Sequence, residues 1–134
     1  MVEVVNRQRR LRIDSDAWTA FAEEALKTIE NIGSSATVAF VSDKTIRKLN
    51  QQFRGVDKAT DVLSFPADEP DNLGDIAISV ESAARQAKEN GLTFDEEIAQ
   101  LILHGLLHLS GYDHETDNGE MNQLELRLRR KLGV

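Results

Sequence analysis

Residues 93–111, TFDEEIAQLILHGLLHLSG, place the tightest constraint on the fold. Thr93 with Glu96 forms a capping-box start and Gly111 supplies a stop, so the spacing predicts a helix running to about Ser110. Ile98, Leu101, Ile102, Leu103, Leu106, Leu107 and Leu109 surround most of that helix rather than lining one stripe of it. A helix that is apolar nearly all round needs neighbours on every side. It must therefore be the buried centre of the structure, with the other elements packed about it.

The rest of the chain supplies those neighbours. VEVVN (2–6) reads as a strand, and ATVAFV (36–41), short and rich in β-branched residues, as a buried one. Between them Trp18, Phe21, Ala25, Ile29 and Ile32 recur at helical spacing from Asp14 or Ser15, with Gly33 as a stop. Ser42 or Asp43 caps a helix carrying Ile46, Leu49 and Phe53 and ended by Gly55. DVLSF (61–65), closed by Pro66, and DIAIS (75–79) read as an antiparallel pair of strands joined by a polar loop holding Pro70 and Gly74. Residues 80–90 follow as a short helix with Val80, Ala83, Ala84 and Ala87 inward. A last helix, with Asp117 and Glu120 as its capping signature, carries Met121, Leu124, Leu128 and Leu132 on one stripe. The order does not alternate cleanly. It predicts one α+β domain over residues 1–134, a small mixed four-stranded sheet packed by about five helices.

There is no cysteine in the 134 residues, which excludes disulfides and thiolate metal sites and fits a reducing compartment. No run is long and apolar enough to span a bilayer and the N-terminus lacks a signal-peptide core, so no membrane is expected and the reading is cytoplasmic. A net charge of −7 argues against a generic nucleic-acid coat protein. The cations are nevertheless clustered: Arg7, Arg9, Arg10 and Arg12; Lys44, Arg47, Lys48, Arg54 and Lys58; Arg127, Arg129, Arg130 and Lys131. Such clusters are usually solvated faces or helix C-terminal charges, as acidic segments such as the one at 95–97 are.

All three histidines, His104, His108 and His114, fall within eleven residues. His104 and His108 are four apart on the predicted helix, so they share a face, roughly 6 Å apart along the axis. A glycine turn at Gly111 would bring His114 in as a third ligand. A lone helical histidine is usually a surface or hydrogen-bonded residue. Two imidazoles on an apolar helix need partners for their ring nitrogens, and a shared metal supplies one. No fourth ligand is evident, although Asp113 could serve as one or as a partner to an imidazole, so the site is expected to keep an open position, as catalytic zinc sites do. Neutral ligands leave a divalent ion its full charge, which attracts anions such as phosphate. Gly105, costly in mid-helix, implies that a substrate or a neighbouring strand comes close there.

His104-Gly-Leu-Leu-His108-Leu-Ser-Gly-Tyr-Asp-His114 resembles the signature of the YbeY family of bacterial endoribonucleases and rRNA maturation factors. LNQQFRGVDKATDVLSFP (49–66) and Leu73-Gly-Asp-Ile76 are similar to two further family blocks, in the family's order. Ala59 departs from the proline usual there, a change that costs loop rigidity and no chemical group. The resemblance implies an α+β fold, a metal on His104, His108 and His114, and cleavage of single-stranded RNA. The metal would be Zn(2+) or another divalent transition metal. Work on ribosomal RNA is implied too, notably the 3′ end of 16S rRNA, with the small subunit and its assembly factors as partners. His108 and Arg54 would take catalytic roles, the arginine pairing with phosphoryl oxygens.

Two alternatives remain open on sequence. One is a metal-stabilised ribosome-assembly or RNA-binding factor without catalysis, since no undisputed general base is visible. The other is a zinc peptidase, whose H-E-x-x-H-x-x-G-x-x-H spacing matches except that Gly105 stands where the glutamate base is required; Asp113 or Asp61 would have to substitute.

Overall fold

In a computed structural model that describes residues 1–29, 34–111 and 119–134, four strands form one sheet in the order β1-β2-β4-β3. β1 (Val2–Asn6), β2 (Ser35–Val41) and β4 (Asn72–Ser79) run parallel, and β3 (Val62–Glu69) is antiparallel to β4. The helices are α1 (Ser15–Thr28), α2 (Asp43–Arg54), α3 (Val80–Asn90), α4 (Phe94–Leu109) and α5 (Glu120–Leu132). The expected mixed four-stranded sheet and five helices are present. No helix among the described residues is long and apolar enough to cross a membrane.

Strand alternation sorts the core into two layers. Ala36, Val38, Phe40, Ile76 and Ile78 face α1 and α4, meeting Ala22, Ala25 and Leu26 from one and Ile98, Ile102, Leu103 and Leu106 from the other. On the opposite face Val41, Leu63 and Ala77 pack with Ile46 and Leu49 of α2. α4 is the buried helix that its sequence predicts, with Ile98, Ile102, Leu103, Leu106 and Leu107 all inaccessible to solvent. α5 lies on α4 through Met121 and Leu128.

Local chemistry explains most element ends. Asp14, Ser42, Ser79 and Thr93 each accept an amide hydrogen bond from the first turn that follows, and Thr93 with Glu96 completes a capping box. Asp43 ties two helix starts together. Its Oδ1 accepts from the Ser79 and Ser82 hydroxyls at 2.6 Å each, and its Oδ2 from Arg85 at 2.7 Å.

Four boundaries differ from the sequence expectation. α1 stops at Thr28 with Ile29 as its cap, short of the expected end, and Ile32 and Gly33 lie outside the described residues. β3 does not close at Pro66 but continues to Glu69, which an edge strand allows because its outer side needs no ladder donor. The 70–71 turn is correspondingly tight, and Gly74 sits inside β4 instead of in the loop. It has φ +132°, and a Cβ there would lie 2.1 Å from the Phe65 carbonyl oxygen, so only glycine fits opposite Pro66. α5 begins at Glu120 with Gly119 as its N-cap and no side-chain cap; the expected capping residue, Asp117, lies outside the described residues.

Candidate active site

α4 presents His104 and His108 as their spacing requires. The imidazole centroids are 4.8 Å apart with the rings at 71°, both half-buried on one side of the helix. Helix α4 then ends at Leu109 with Ser110 as its cap, and Gly111 takes φ +99°, the left-handed geometry expected of the stop. His114 and Asp113 lie outside the described residues. Among the described residues no set of three His, Asp or Glu side chains is close enough to hold a metal.

The residue that sequence reasoning missed is Glu125. Its carboxylate, contributed by α5, lies 3.2 Å from His104 Nδ1, and its side chain is only 13% exposed. A carboxylate at that nitrogen makes Nδ1 the proton-bearing one and leaves Nε2 with the ligating lone pair, the arrangement usual behind a metal-bound histidine. The donor chemistry of the pair therefore fits a divalent transition metal. A signal was available. Glu125 stands four residues after Met121 and three before Leu128, so it is a charge interrupting the buried stripe of its helix.

His104 also borders a cavity of about 270 Å³, together with Asp61, Glu97, Gln100 and Glu125. Glu97, expected to be solvated like its acidic neighbours, is instead 4% exposed. Burial pushes its carboxyl above the usual range, and the Asp61 charge adds to that. The 3.3 Å hydrogen bond donated by Asn90 and the Arg129 charge oppose the rise. That leaves a buried carboxyl, favoured toward its neutral form, in the lining of the cavity that His104 borders. Asp61 is fixed from two sides. Its Oδ1 accepts from Val62 N at 2.8 Å and from the Thr60 hydroxyl at 3.2 Å, and its carbonyl accepts from Ser79 N at 2.9 Å.

Arg54 stands elsewhere. It closes α2, on the sheet face opposite α4, and is not among the residues bordering the His104 cavity. Its exposed guanidinium donates to Asn50 Oδ1 over a long 3.5 Å. The rest of the 49–66 block is built as a brace between α2 and β3. Gly55 is left-handed at φ 71°, the Asn50 amide donates to Lys58 O at 2.8 Å, and Arg47 pairs with Asp57 through contacts of 2.7 and 3.2 Å. That pair holds the Asp57 carboxyl below its ordinary range. Asp61, further along the block, borders the His104 cavity. A larger cavity of about 810 Å³, between Arg12 and Asp95 at the start of α1, holds none of the predicted site residues.

Gly105 has a structural explanation. A Cβ there would sit 2.8 Å from Ile76 Cδ1 and 3.1 Å from both Ile76 Cγ atoms, so it is strand β4 that requires the room, not a substrate.

Comparison with known proteins decides the family. The family model for "Endoribonuclease YbeY" matches residues 3–133, nearly the whole chain. The chain belongs to the endoribonuclease YbeY family. The YbeY protein of Nautilia profundicola is 54% identical over 128 residues, spanning 91% of this chain and 92% of its own. That of Koribacter versatilis is 43% identical over 129 residues, 96% of this chain and 84% of its own. The solution structure of TM1509 from Thermotoga maritima superposes with a TM-score of 0.70 at 32% identity, covering 98% of this chain and 89% of that one. The YbeY likeness thus extends from the three sequence blocks to the fold that carries them.

Proposed function

We propose that this YbeY-family chain is a metal-dependent endoribonuclease that cuts single-stranded ribosomal RNA in the cytoplasm. Its tasks would include maturation of the 16S rRNA 3′ end, alongside the small subunit and its assembly factors. The observation that carries the reading is the His104–His108 pair on a buried helix, with Glu125 behind His104. His104, His108 and His114 would hold the metal, Zn(2+) or another divalent transition ion. Once bound, the ion would supply Lewis acidity at phosphoryl oxygen and a lowered pKa for bound water.

The remaining chemistry belongs to the protein. Glu125 fixes the His104 tautomer and ring plane. Glu97 and Asp61 line the cavity that His104 borders, Glu97 as a buried carboxyl hydrogen-bonded by Asn90 and Asp61 as one held by the Val62 amide and the Thr60 hydroxyl. Arg54 keeps the role its motif implies, pairing with phosphoryl oxygens of the RNA strand. The peptidase alternative lacks the glutamate base its motif requires, because Gly105 stands there, packed against Ile76 of β4.

The test is metal content per chain together with RNA cleavage, for the parent and for His104→Ala, His108→Ala and His114→Ala. Loss of both metal and cleavage in each variant is the expected result. Cleavage that persists in rigorously metal-free protein or in His108→Ala would refute the reading.

A further inference from the structure

The sheet face opposite the histidine helix is only half covered. α2 shields its β3–β4 side, leaving a groove of about 570 Å³ whose floor includes Val5, Thr37, Ala39 and Ala77. Phe65 forms part of its wall and Phe53 stands above it, 59% exposed, with the two rings edge-to-face at 5.2 Å. Glu3 and Asp75 also line the groove.

Beside it lies a second concavity, also about 570 Å³, lined by Arg7, Arg9, Arg10 and Lys44. Arg7 borders both, so the two are neighbours on one face. The loop that carries the arginines is organised in advance. Arg7 N donates to Phe40 O at 2.8 Å, anchoring the loop to β2. The Gln8 side chain then donates to Asn6 Oδ1 and Leu11 O, and accepts from Arg10 N and Leu11 N. All four cations are exposed, and none has a carboxylate within ion-pair distance among the described residues. The two carboxylates in the same wall are already engaged, Asp43 by Ser79, Ser82 and Arg85, and Glu81 by the Asp43 amide. In a chain of net charge −7, four exposed cations against two carboxylates make this a locally positive surface.

Resting on the reading of the chain as an RNA-cleaving enzyme, the geometry points to this face as a track for single-stranded RNA, separate from the histidine site. Arg7, Arg9, Arg10 and Lys44 hold backbone phosphates, and Phe53 stacks on a base that lies in the neighbouring groove. A cationic channel flanked by an exposed aromatic ring is the general solution for unpaired nucleic acid. The groove's acidic groups fit the same division: Glu3 and Asp75 would repel phosphate but accept hydrogen bonds from exocyclic base amines. An acidic protein segment would satisfy the arginines but would find two further carboxylates where it needs cations.

The experiment is fluorescence anisotropy of a labelled 2′-O-methyl oligoribonucleotide binding the full metal-loaded chain, with the oligonucleotide checked intact on a gel, repeated over a series of salt concentrations. Three chains are compared: parent, Arg9→Ser/Arg10→Ser and Phe53→Ala, each verified as folded by circular dichroism. The double arginine variant should bind roughly tenfold more weakly, and its salt slope should fall by about 1.4, at about 0.7 per lost phosphate contact on a single strand. Phe53→Ala should weaken binding by roughly tenfold with the salt slope unchanged. If either variant binds as the parent does, the track is refuted and the face serves some other partner, such as an acidic protein. Because the readout is affinity, a failure here is distinguishable from failure of the nuclease reading, which would appear as absent cleavage with binding retained.

Discussion

Replacing Gly105 with alanine tests how α4 is seated, because two effects of similar size oppose one another. Alanine gains about 1 kcal/mol of helix propensity over glycine. Against that, the new methyl lies 2.8 Å from Ile76 Cδ1 and 3.1 Å from two more carbons of the same side chain. Overpacking of that kind costs roughly 1–3 kcal/mol. Gly105→Ala should therefore be destabilising by up to about 2 kcal/mol. Ile76→Val removes the nearest colliding atom and by itself costs about 0.5–1.5 kcal/mol. In the double variant the methyl at 105 meets less resistance, so Gly105→Ala should cost less there than in the parent, with a coupling of roughly 1 kcal/mol. Urea unfolding of the four chains at constant m-value measures the cycle. An equal cost of Gly105→Ala in both backgrounds would show that Ile76 is not what excludes a side chain from this position, and the account of the glycine would fall.

Glu125→Ala should weaken metal binding by about 10–100-fold while leaving the three histidines in place, and titration against a competing chelator reads that directly; unaltered affinity would remove Glu125 from the site. The raised Glu97 carboxyl makes a pH prediction. Its neutral form is favoured by the folded state, so its contribution to stability is full below the unfolded value of 4.5 and is lost as pH rises through the folded one. Melting temperatures of the parent and Glu97→Gln should therefore agree in acid and diverge toward neutrality, with the variant the more stable; a constant difference from about pH 4 to about pH 8 contradicts the burial argument. Gly74→Ala should be far worse than Gly105→Ala, because its methyl would meet a backbone oxygen that cannot rotate away. A loss of about 3 kcal/mol or more is expected, and a well-folded variant with near-parent unfolding would contradict the close approach of β3 and β4.

Local signals in the sequence carried the elements far. Thr93, Glu96 and the all-round apolar helix placed α4 and its burial, and the four-residue spacing of His104 and His108 put both rings on one side of it. What sequence could not carry was information between elements. Glu125 meets His104 across twenty-one positions, and nothing local to α5 says which helix its carboxylate faces. Glu97 looked like one of three solvated acids because burial depends on α3 and α5, not on its neighbours in sequence. Pro66 was read as a strand end, since the rule that proline breaks a ladder applies to a central strand, and only the strand order reveals that β3 is an edge.

That last feature bears on how the chain avoids sticking to itself. An outermost strand presents a row of unmatched amides and carbonyls that a second molecule can copy, which is how sheets grow into fibrils. Pro66 deletes one donor from β3, the register slips between Pro66 and Glu69, and Asp68 and Glu69 put two negative charges at the tip. An incoming strand would have to bridge a missing bond, a change of alignment and electrostatic repulsion within four residues.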